Sequence, residues 1–309
     1  MSRSPGGEPR ESPLLQLVYY GYRVASALAR VLPERLAYGV ADRCGTILAR
    51  RSPKRTVVAR NLARVTGRQP GSPEVQDLVV RSFRSYAEYW LETFRLVQAP
   101  REFFLERLLA DGEDHLLGAL ANGRGVVVVI GHLGNWDAAG AWAATLTGSL
   151  VTVAEVLRPR RMFDFFADHR RRLGMTILPA RPGVTSELVE LARAGHVIAI
   201  LGDRDLKGTG VEVDFFGEPA TFPVGAAAIA RRAEVPLLVA GVRSERRPTG
   251  RGWRATIGPP VELPEGTDDA SAVAELTRAV ARELERHVAA TPEQWHVFQP
   301  FWLADRAPG

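Results

Sequence analysis

Val126-Val127-Val128-Val129-Ile130-Gly131-His132-Leu133-Gly134-Asn135-Trp136-Asp137 passes directly from an apolar run to a polar turn. Val126 to Ile130 is short, continuous and β-branched, and Gly125 and Gly131 bracket it. That is the pattern of a strand buried on both faces. Asn135 to Leu146 is Ala-rich and reads as a helix with Asn135 as its N-cap. A strand feeding a helix is the repeating unit of an α/β sheet. His132 then lies at the strand's carboxyl end, the edge where open α/β sheets place their chemistry. On one helix an i, i+5 pair would point about 140° apart, at roughly 100° per residue. A strand-end His132 and a first-turn Asp137 can instead face each other. A carboxylate on one imidazole nitrogen fixes the tautomer and leaves the other nitrogen as a base. The dyad has no protein nucleophile beside it, so the nucleophile would come from a substrate. The alternative is a structural histidine capping the sheet edge, with Asp137 an ordinary first-turn acid favoured by the helix dipole.

Working outward, strands are predicted at 125–130, 150–155, 176–178, 197–201, 211–215, 235–242 and 254–257. Helices are predicted at 135–146, 162–173, 185–193, 224–232 and 268–290. From Pro33 to about Gly123 the pattern is helical, including 56–66, 73–96 and 101–109. Residues 1–13 are polar and rich in Gly, Pro and Ser, the composition of a disordered tail. Residues 14–309 form one domain, with 14–123 its helical N-terminal part and 124–309 its α/β catalytic part. The fold class is α/β, a sheet flanked by helices.

A second polar cluster, Gly202-Asp203-Arg204-Asp205-Leu206-Lys207-Gly208-Thr209-Gly210, also follows an apolar strand. Acids, an arginine and glycines at a strand end suit the positioning of a polar substrate beside a base; the alternative is a solvated turn. Asp203, Asp205 and Asp214 lack the spacing of a calcium loop, and no metal site is expected. Thr221 to Gly225 leads into a small-residue helix whose start can offer N–H groups to an anion. Glu155 is followed by Arg158, Arg160, Arg161, Arg170, Arg171 and Arg172, a basic region able to hold phosphate. His115, His169, His196, His287 and His296 read as structural. No G-x-S-x-G elbow, P-loop or G-x-G-x-x-G turn is present, which counts against a serine hydrolase, an NTPase and a simple dehydrogenase.

The chain carries a formal net charge of +5, and all but Lys54 and Lys207 of its 40 basic residues are arginine. Between Arg43 and Pro73 lie Arg43, Arg50, Arg51, Lys54, Arg55, Arg60, Arg64 and Arg68, with no acid among them. Such a stripe suits an anionic membrane face. Nucleic acid is not an expected partner, because no nucleic-acid-binding motif accompanies it. The single cysteine, Cys44, excludes a disulfide framework and reads as a small core residue. No secretory signal is expected. Leu14 to Leu32 is apolar but interrupted by Gln16, Arg23 and Arg30, too short a run for the roughly 20 residues of a span. It suits an interfacial helix with Tyr19, Tyr20 and Tyr22 at headgroup level, or a helix packed on its own domain, each on a different face.

These residues resemble a known family. The H-x-x-x-x-D pair after a hydrophobic strand is the signature of glycerolipid-type acyltransferases. Arg55 with Asn61-Leu62, the Gly131-to-Asp137 string and Asp203-Arg204-Asp205 point to the branch of lipid A late acyltransferases and actinobacterial phosphatidylinositol mannoside acyltransferases. Phe215-Phe216-Gly217, Phe222-Pro223-x-Gly225 and Pro292-Glu293-Gln294-Trp295 follow in order, so the match spans residues 14–302. Val211 to Pro219 looks most like the mannoside branch, and the Arg- and Ala-rich composition agrees with an actinobacterial source. The chain departs from the lipid A enzymes in its weaker N-terminal anchor.

The resemblance implies a glycerolipid-acyltransferase-like sheet with a helical, membrane-associating N-terminal segment. It implies transfer of a long acyl chain, usually palmitoyl, from acyl-CoA to a mannose hydroxyl of a phosphatidylinositol mannoside. That would take place peripherally at the cytoplasmic face of the cell membrane. No bound cofactor is implied; acyl-CoA is the co-substrate, its phosphates held by arginines. His132 would be the base, Asp137 its orienting acid and Glu212 a further contact of the imidazole. Arg170 would face developing negative charge, and Glu155, Asp203, Arg204 and Asp205 would hold substrate. The rival readings are a lipid A-type or other lysophospholipid acyltransferase, and a membrane-binding scaffold without turnover.

Overall fold

Val126–Ile130 forms the strand that its composition predicts, and it lies inside a seven-stranded sheet. The chain is described by a computed structural model covering residues 13–206, 208–247, 250–263 and 267–306. The tail predicted for residues 1–13 falls outside the described residues up to Ser12, and so does Lys207 of the acidic loop. Helices α1 (Pro13–Val31), α2 (Glu34–Arg51), α3 (Arg55–Thr66), α4 (Pro73–Leu96) and α5 (Arg101–Arg107) come first. They lead to β1 (Leu108–Asp111), α6 (Glu113–Leu120), β2 (Val126–Ile130), α7 (Trp136–Thr147), β3 (Leu150–Ala154) and α8 (Arg160–Arg172). After these come β4 (Thr176–Pro179), α9 (Val184–Arg193), β5 (Val197–Leu201), β6 (Val211–Phe215) and β7 (Glu218–Phe222). The chain closes with α10 (Gly225–Ala233), β8 (Leu237–Arg247), β9 (Gly250–Ile257) and α11 (Asp269–Ala290).

The sheet order is β1-β9-β8-β2-β5-β3-β4, parallel throughout except between β8 and β9. A strand paired on both sides and covered on both faces tolerates only apolar residues, which accounts for the unbroken valine run. Val127 and Val129 face one core with α9, α10 and α11. Val126 faces the other, with α5, α6, α7 and α8. Two helix layers therefore sandwich the sheet.

Two strands are absent from the sequence reading. Leu108 and Leu109, predicted as the end of a helix, leave α5 and pair in parallel with Trp253 and Arg254 of β9. Nothing in Leu-Leu-Ala-Asp favours a strand locally; the vacant sheet edge decides it. β7 closes a hairpin with β6 through Phe216 and Gly217, both at positive φ (54° and 77°), a tight turn.

The N-terminal helices reverse the usual placement of large and small residues. On α2 the small row Ala37, Ala41, Gly45 and Ala49 is buried, at a close approach to α4. A Cβ on Gly45 would lie 2.6 Å from Arg84 Cα. Leu36, Val40, Ile47 and Leu48 of α2 face outward, as do Leu17, Tyr20, Val24, Leu28 and Val31 of α1. Cys44 lies on the exposed side and is not the core residue that the sequence suggested, because the buried row of this helix runs one position later. Tyr22 turns inward onto Trp90, Phe94 and Phe166, so it is not an exposed interfacial residue. Among the described residues no helix is long and apolar enough to cross a membrane.

The basic stripe also divides. Arg55 donates to the Ala49 carbonyl at 2.8 Å, and Arg64 pairs with Asp305 at 2.6 Å and Glu218 at 2.8 Å. Arg60 reaches Asp305 at 3.4 Å. The stretch lacks acids of its own, but the fold brings them from 150 residues or more away. Arg43, Arg50, Arg51, Lys54 and Arg68 remain exposed.

Candidate active site

Strands β2 and β5 are adjacent and in register, with Val126 opposite Val197 and Ile130 opposite Leu201. Extending that register two residues beyond each strand sets His132 beside Asp203. Asp203 Oδ1 lies 2.6 Å from His132 Nδ1, and its Oδ2 accepts the His132 backbone N–H at 2.9 Å. Trp295 Nε1 donates to the same Oδ2 at 3.0 Å. Burial alone would raise the Asp203 carboxyl, but the His132 charge and these hydrogen bonds hold it below its ordinary value. An anionic Asp203 accepts Nδ1–H, so Nε2 of His132 carries the free lone pair. The His132 side chain is 16% exposed and Asp203 only 1%, the arrangement of a reachable base over a sealed partner.

Asp137 is not that partner, contrary to the expectation from spacing. The left-handed turn at Gly134 (φ 59°) redirects the chain into α7, and a Cβ there would lie 2.4 Å from the Val242 carbonyl oxygen. Asn135 caps the helix, accepting Ala138 N–H at 3.0 Å. Asp137, now on the first turn, is buried between α4 and α8. Arg170 Nε donates to its Oδ1 at 2.7 Å and the Tyr89 hydroxyl to its Oδ2 at 3.0 Å. Asp137 thus anchors Arg170, and burial with this neighbouring charge pushes the Tyr89 phenol well above its usual range.

The loop is fixed from two further sides. Glu92 of α4 accepts Asn135 Nδ2 at 2.6 Å, Trp253 Nε1 at 2.9 Å and the Tyr38 hydroxyl at 2.9 Å. Burial raises this carboxyl against the pull of those three donors. From the C-terminal segment, Leu133 bridges Trp295 and the His296 N–H donates to the His132 carbonyl at 2.7 Å. His296 bonds Ser85 Oγ through Nε2 at 2.9 Å, while its Nδ1 is buried without a partner among the described residues. Burial drives its pKa down to about 3, and His132 acts in the same direction when it is protonated. Tyr89, Glu92, Trp295 and His296 escaped the sequence reading as site residues. In the sequence Trp295 belongs only to the family pattern, and His296 reads only as structural.

A cavity of about 340 Å³ opens at His132. Tyr86, Trp90, Trp136, Phe163, Phe166, Leu157 and Leu173 form its apolar walls, and Glu155, Arg170, Arg204 and His296 its polar ones. The structure therefore brings His132, Asp137, Asp203, Glu155, Arg170 and Arg204 together. Arg204 donates to Gln299 at 2.6 Å. Asp205 serves the loop itself, accepting Gly208 N–H at 3.0 Å and Gly210 N–H at 2.8 Å. Glu212 sits exposed on β6, does not line the cavity and makes no hydrogen bond to His132. A period-2 strand whose Val213 and Phe215 face the core turns Glu212 and Asp214 the other way. Asp214 caps the hairpin at Gly217 N–H, 2.9 Å. Asp203, Asp205 and Asp214 thus have three separate tasks.

A base with a buried carboxylate partner, an arginine and an aromatic cavity suit group transfer to a hydroxyl, and the comparisons with known proteins agree. The family model described as bacterial lipid A biosynthesis acyltransferase matches residues 9–304. Two Mycobacterium tuberculosis proteins, from strains CDC 1551 / Oshkosh and ATCC 25618 / H37Rv, are each named phosphatidylinositol mannoside acyltransferase. Both are 37% identical over 304 residues, 96% of this chain and 92% of their own length. The protein of that name from Mycolicibacterium smegmatis is 36% identical over 293 residues, 94% of this chain and 93% of its own. The chain is an acyltransferase and belongs to the bacterial lipid A biosynthesis acyltransferase family.

Proposed function

We propose that the protein moves a long acyl chain, palmitoyl, from acyl-CoA to a mannose hydroxyl of a phosphatidylinositol mannoside. The observation that carries this reading is the His132–Asp203 pair at an aromatic cavity, 2.6 Å apart. His132 Nε2 takes the hydroxyl proton as the sugar oxygen attacks the thioester carbonyl carbon. The carbonyl oxygen gains negative charge, and Arg170, fixed by Asp137, faces it. Collapse breaks the carbon–sulfur bond, and the coenzyme A thiolate takes the proton from the imidazolium. Asp203 holds the tautomer and stabilises the imidazolium. The aromatic walls hold the acyl chain, while Glu155, Arg204 and His296 offer polar contacts to the sugar. The names of the relatives support the acceptor class.

The outward apolar rows of α1 and α2 with Arg43, Arg50, Arg51 and Lys54 support peripheral binding to an anionic membrane. The test is purified protein with palmitoyl-CoA, other acyl-CoAs and a panel of glycolipid acceptors, read by mass spectrometry. Acylated phosphatidylinositol mannoside is the expected product. Acylation of a lipid A precursor instead would replace the acceptor, and no product with any acceptor or donor would leave a membrane-binding scaffold.

A further inference from the structure

Asn61 of α3 belongs to the sequence pattern of the family, yet it lies outside the catalytic cavity and the reaction gives it no task. It is 2% exposed, and its Nδ2 donates to two backbone carbonyls, Val297 at 2.9 Å and Gln299 at 3.1 Å. Its Oδ1 is buried without a partner among the described residues. An unpaired buried oxygen is costly, so the two donated bonds are what the amide contributes here. Both carbonyls belong to the segment that follows α11, residues 291–306, and the earlier part of that segment runs along the His132 turn. Gly134 N–H donates to the Gln294 carbonyl at 3.0 Å, and His296 N–H to the His132 carbonyl at 2.7 Å. The Gln294 side chain grips β8, accepting Ser244 N–H at 2.7 Å and donating to the Ser244 carbonyl at 3.0 Å. The segment is thus a strap fixed to α3 at one end and to the turn and β8 at the other.

Between these fixed ends stands Trp295, 2% exposed, whose Nε1–H reaches Asp203 Oδ2 at 3.0 Å. The same oxygen accepts His132 N–H at 2.9 Å, while Oδ1 faces His132 Nδ1 at 2.6 Å. The indole N–H presents its positive end to the carboxylate that stabilises the imidazolium. It draws charge from that carboxylate and opposes positive charge on the ring beyond it. The imidazolium formed when the hydroxyl is deprotonated is thereby held less tightly. That suits a base which must give the same proton to the departing thiolate.

Resting on His132 being the base of the reaction proposed above, we infer that Trp295 is a positioning residue that tempers the basicity of His132 through Asp203. Asn61 holds Trp295 there by fixing the strap.

Trp295→Phe keeps a ring in the cluster where the indole lies 5.0 Å from Phe301 and 6.0 Å from Phe215 and Trp302. A second replacement exchanges the indole for benzothiophene, which has the same shape and no N–H. In both proteins the acid limb of kcat/KM should move to higher pH by about half a unit, a loss of about threefold at pH values below the limb. Asn61→Leu should move it the same way by less, and the double variant Asn61→Leu with Trp295→Phe no further than Trp295→Phe alone. The other titratable groups lining the cavity, Tyr86, Tyr89, Asp137, Glu155, His169, Arg170, Arg204 and His296, are the same in all these proteins. A lower plateau with the limb in its wild-type place would confine Trp295 to structure and overturn the inference. Shifts that add in full in the double variant would detach Asn61 from Trp295 and overturn the link between them. On the free protein, NMR reads the His132 Nδ1–H proton, identified by its absence from His132→Ala. Its resonance should move downfield in both Trp295 replacements, because Oδ1 then accepts more strongly. That measurement needs no substrate, so the shift keeps the inference even if no mannolipid is acylated, and an unmoved resonance overturns it.

Discussion

At the carboxyl edge of the sheet, charged groups find partners inside the fold: His132 with Asp203, Arg170 with Asp137, Glu92 with three neutral donors. On the outer surface of α1 and α2 the opposite holds, with large apolar side chains turned outward and Arg43, Arg50 and Arg51 exposed. A buried ion or polar group must be satisfied locally, because an unpaired one costs several kcal/mol, on the order of the whole stability of a domain. An exposed group carries no such demand. The first region is therefore determined by the chain itself, whereas the second leaves its apolar and basic groups available to a partner.

The largest effect should come from His132→Ala, which should lower acyl transfer about 10²–10⁴-fold with little change in thermal stability. Asp203→Asn should follow, at about 10²-fold, because an amide cannot hold the same tautomer and stabilise the imidazolium. Both are read as kcat with saturating donor. If Asp137→Asn reduced kcat more than Asp203→Asn while the fold persisted, the pairing that defines the first region would be wrong.

His296 makes the internal accounting visible in pH. Its folded-state pKa, about 3, is far below the ordinary 6.5. The unfolded chain therefore takes up a proton as pH falls through 6.5, and the folded chain does so only near 3. Stability should fall progressively across that window, by on the order of 5 kcal/mol from this residue. Asp203, with its lowered pKa, adds a loss of the same sign at pH below its ordinary carboxylate value. Urea unfolding at a series of pH values, comparing wild type with His296→Phe, isolates the histidine. An unchanged slope in the variant would show that the ring is not held neutral by the fold.

The strand, the turn and His132 were legible because apolar continuity and a glycine boundary are local signals. The partner of His132 was not. Chain proximity favoured Asp137, but register between two strands 71 positions apart supplies Asp203, and nothing in one sequence reports which strands are neighbours. The Asp203 loop itself was legible as polar residues after a strand. Glu92, Tyr89 and His296 lay in helical or C-terminal segments with no chemical pattern, and only packing brings them to the site. β1 failed for the same reason, since Leu108–Asp111 becomes a strand only by pairing with β9.

Asp137→Asn should cost about 2 kcal/mol of stability, the typical loss when a hydrogen bond to a charged partner is weakened. Arg170 would remain half-buried beside a neutral amide and move within the cavity, so kcat should fall together with that loss, though by less than in Asp203→Asn. Chemical denaturation and steady-state kinetics on the same preparation measure both. A stability loss without any kinetic change would confine Asp137 to structure and remove Arg170 from the reaction.

The smallest effect separates the two regions within one basic stripe. Arg51 is exposed, whereas Arg64, only thirteen positions later, is 18% exposed, paired with Asp305 and Glu218, and stacked at 5.0 Å over Trp302. A basic residue near an anionic surface contributes about 1 kcal/mol, fading over roughly 10 Å at 0.1 M salt. Arg51→Gln should therefore weaken flotation on anionic vesicles about fivefold at low salt, with the difference vanishing as salt is raised and no change in unfolding. Arg64→Gln should do the reverse, lowering stability by about 1 kcal/mol and leaving vesicle binding unaltered. The two residues are alike in the sequence, and only their partners differ. Equal vesicle effects from both would mean that net charge alone governs the surface, and the distinction between inward and outward arginines would carry no consequence for membrane binding.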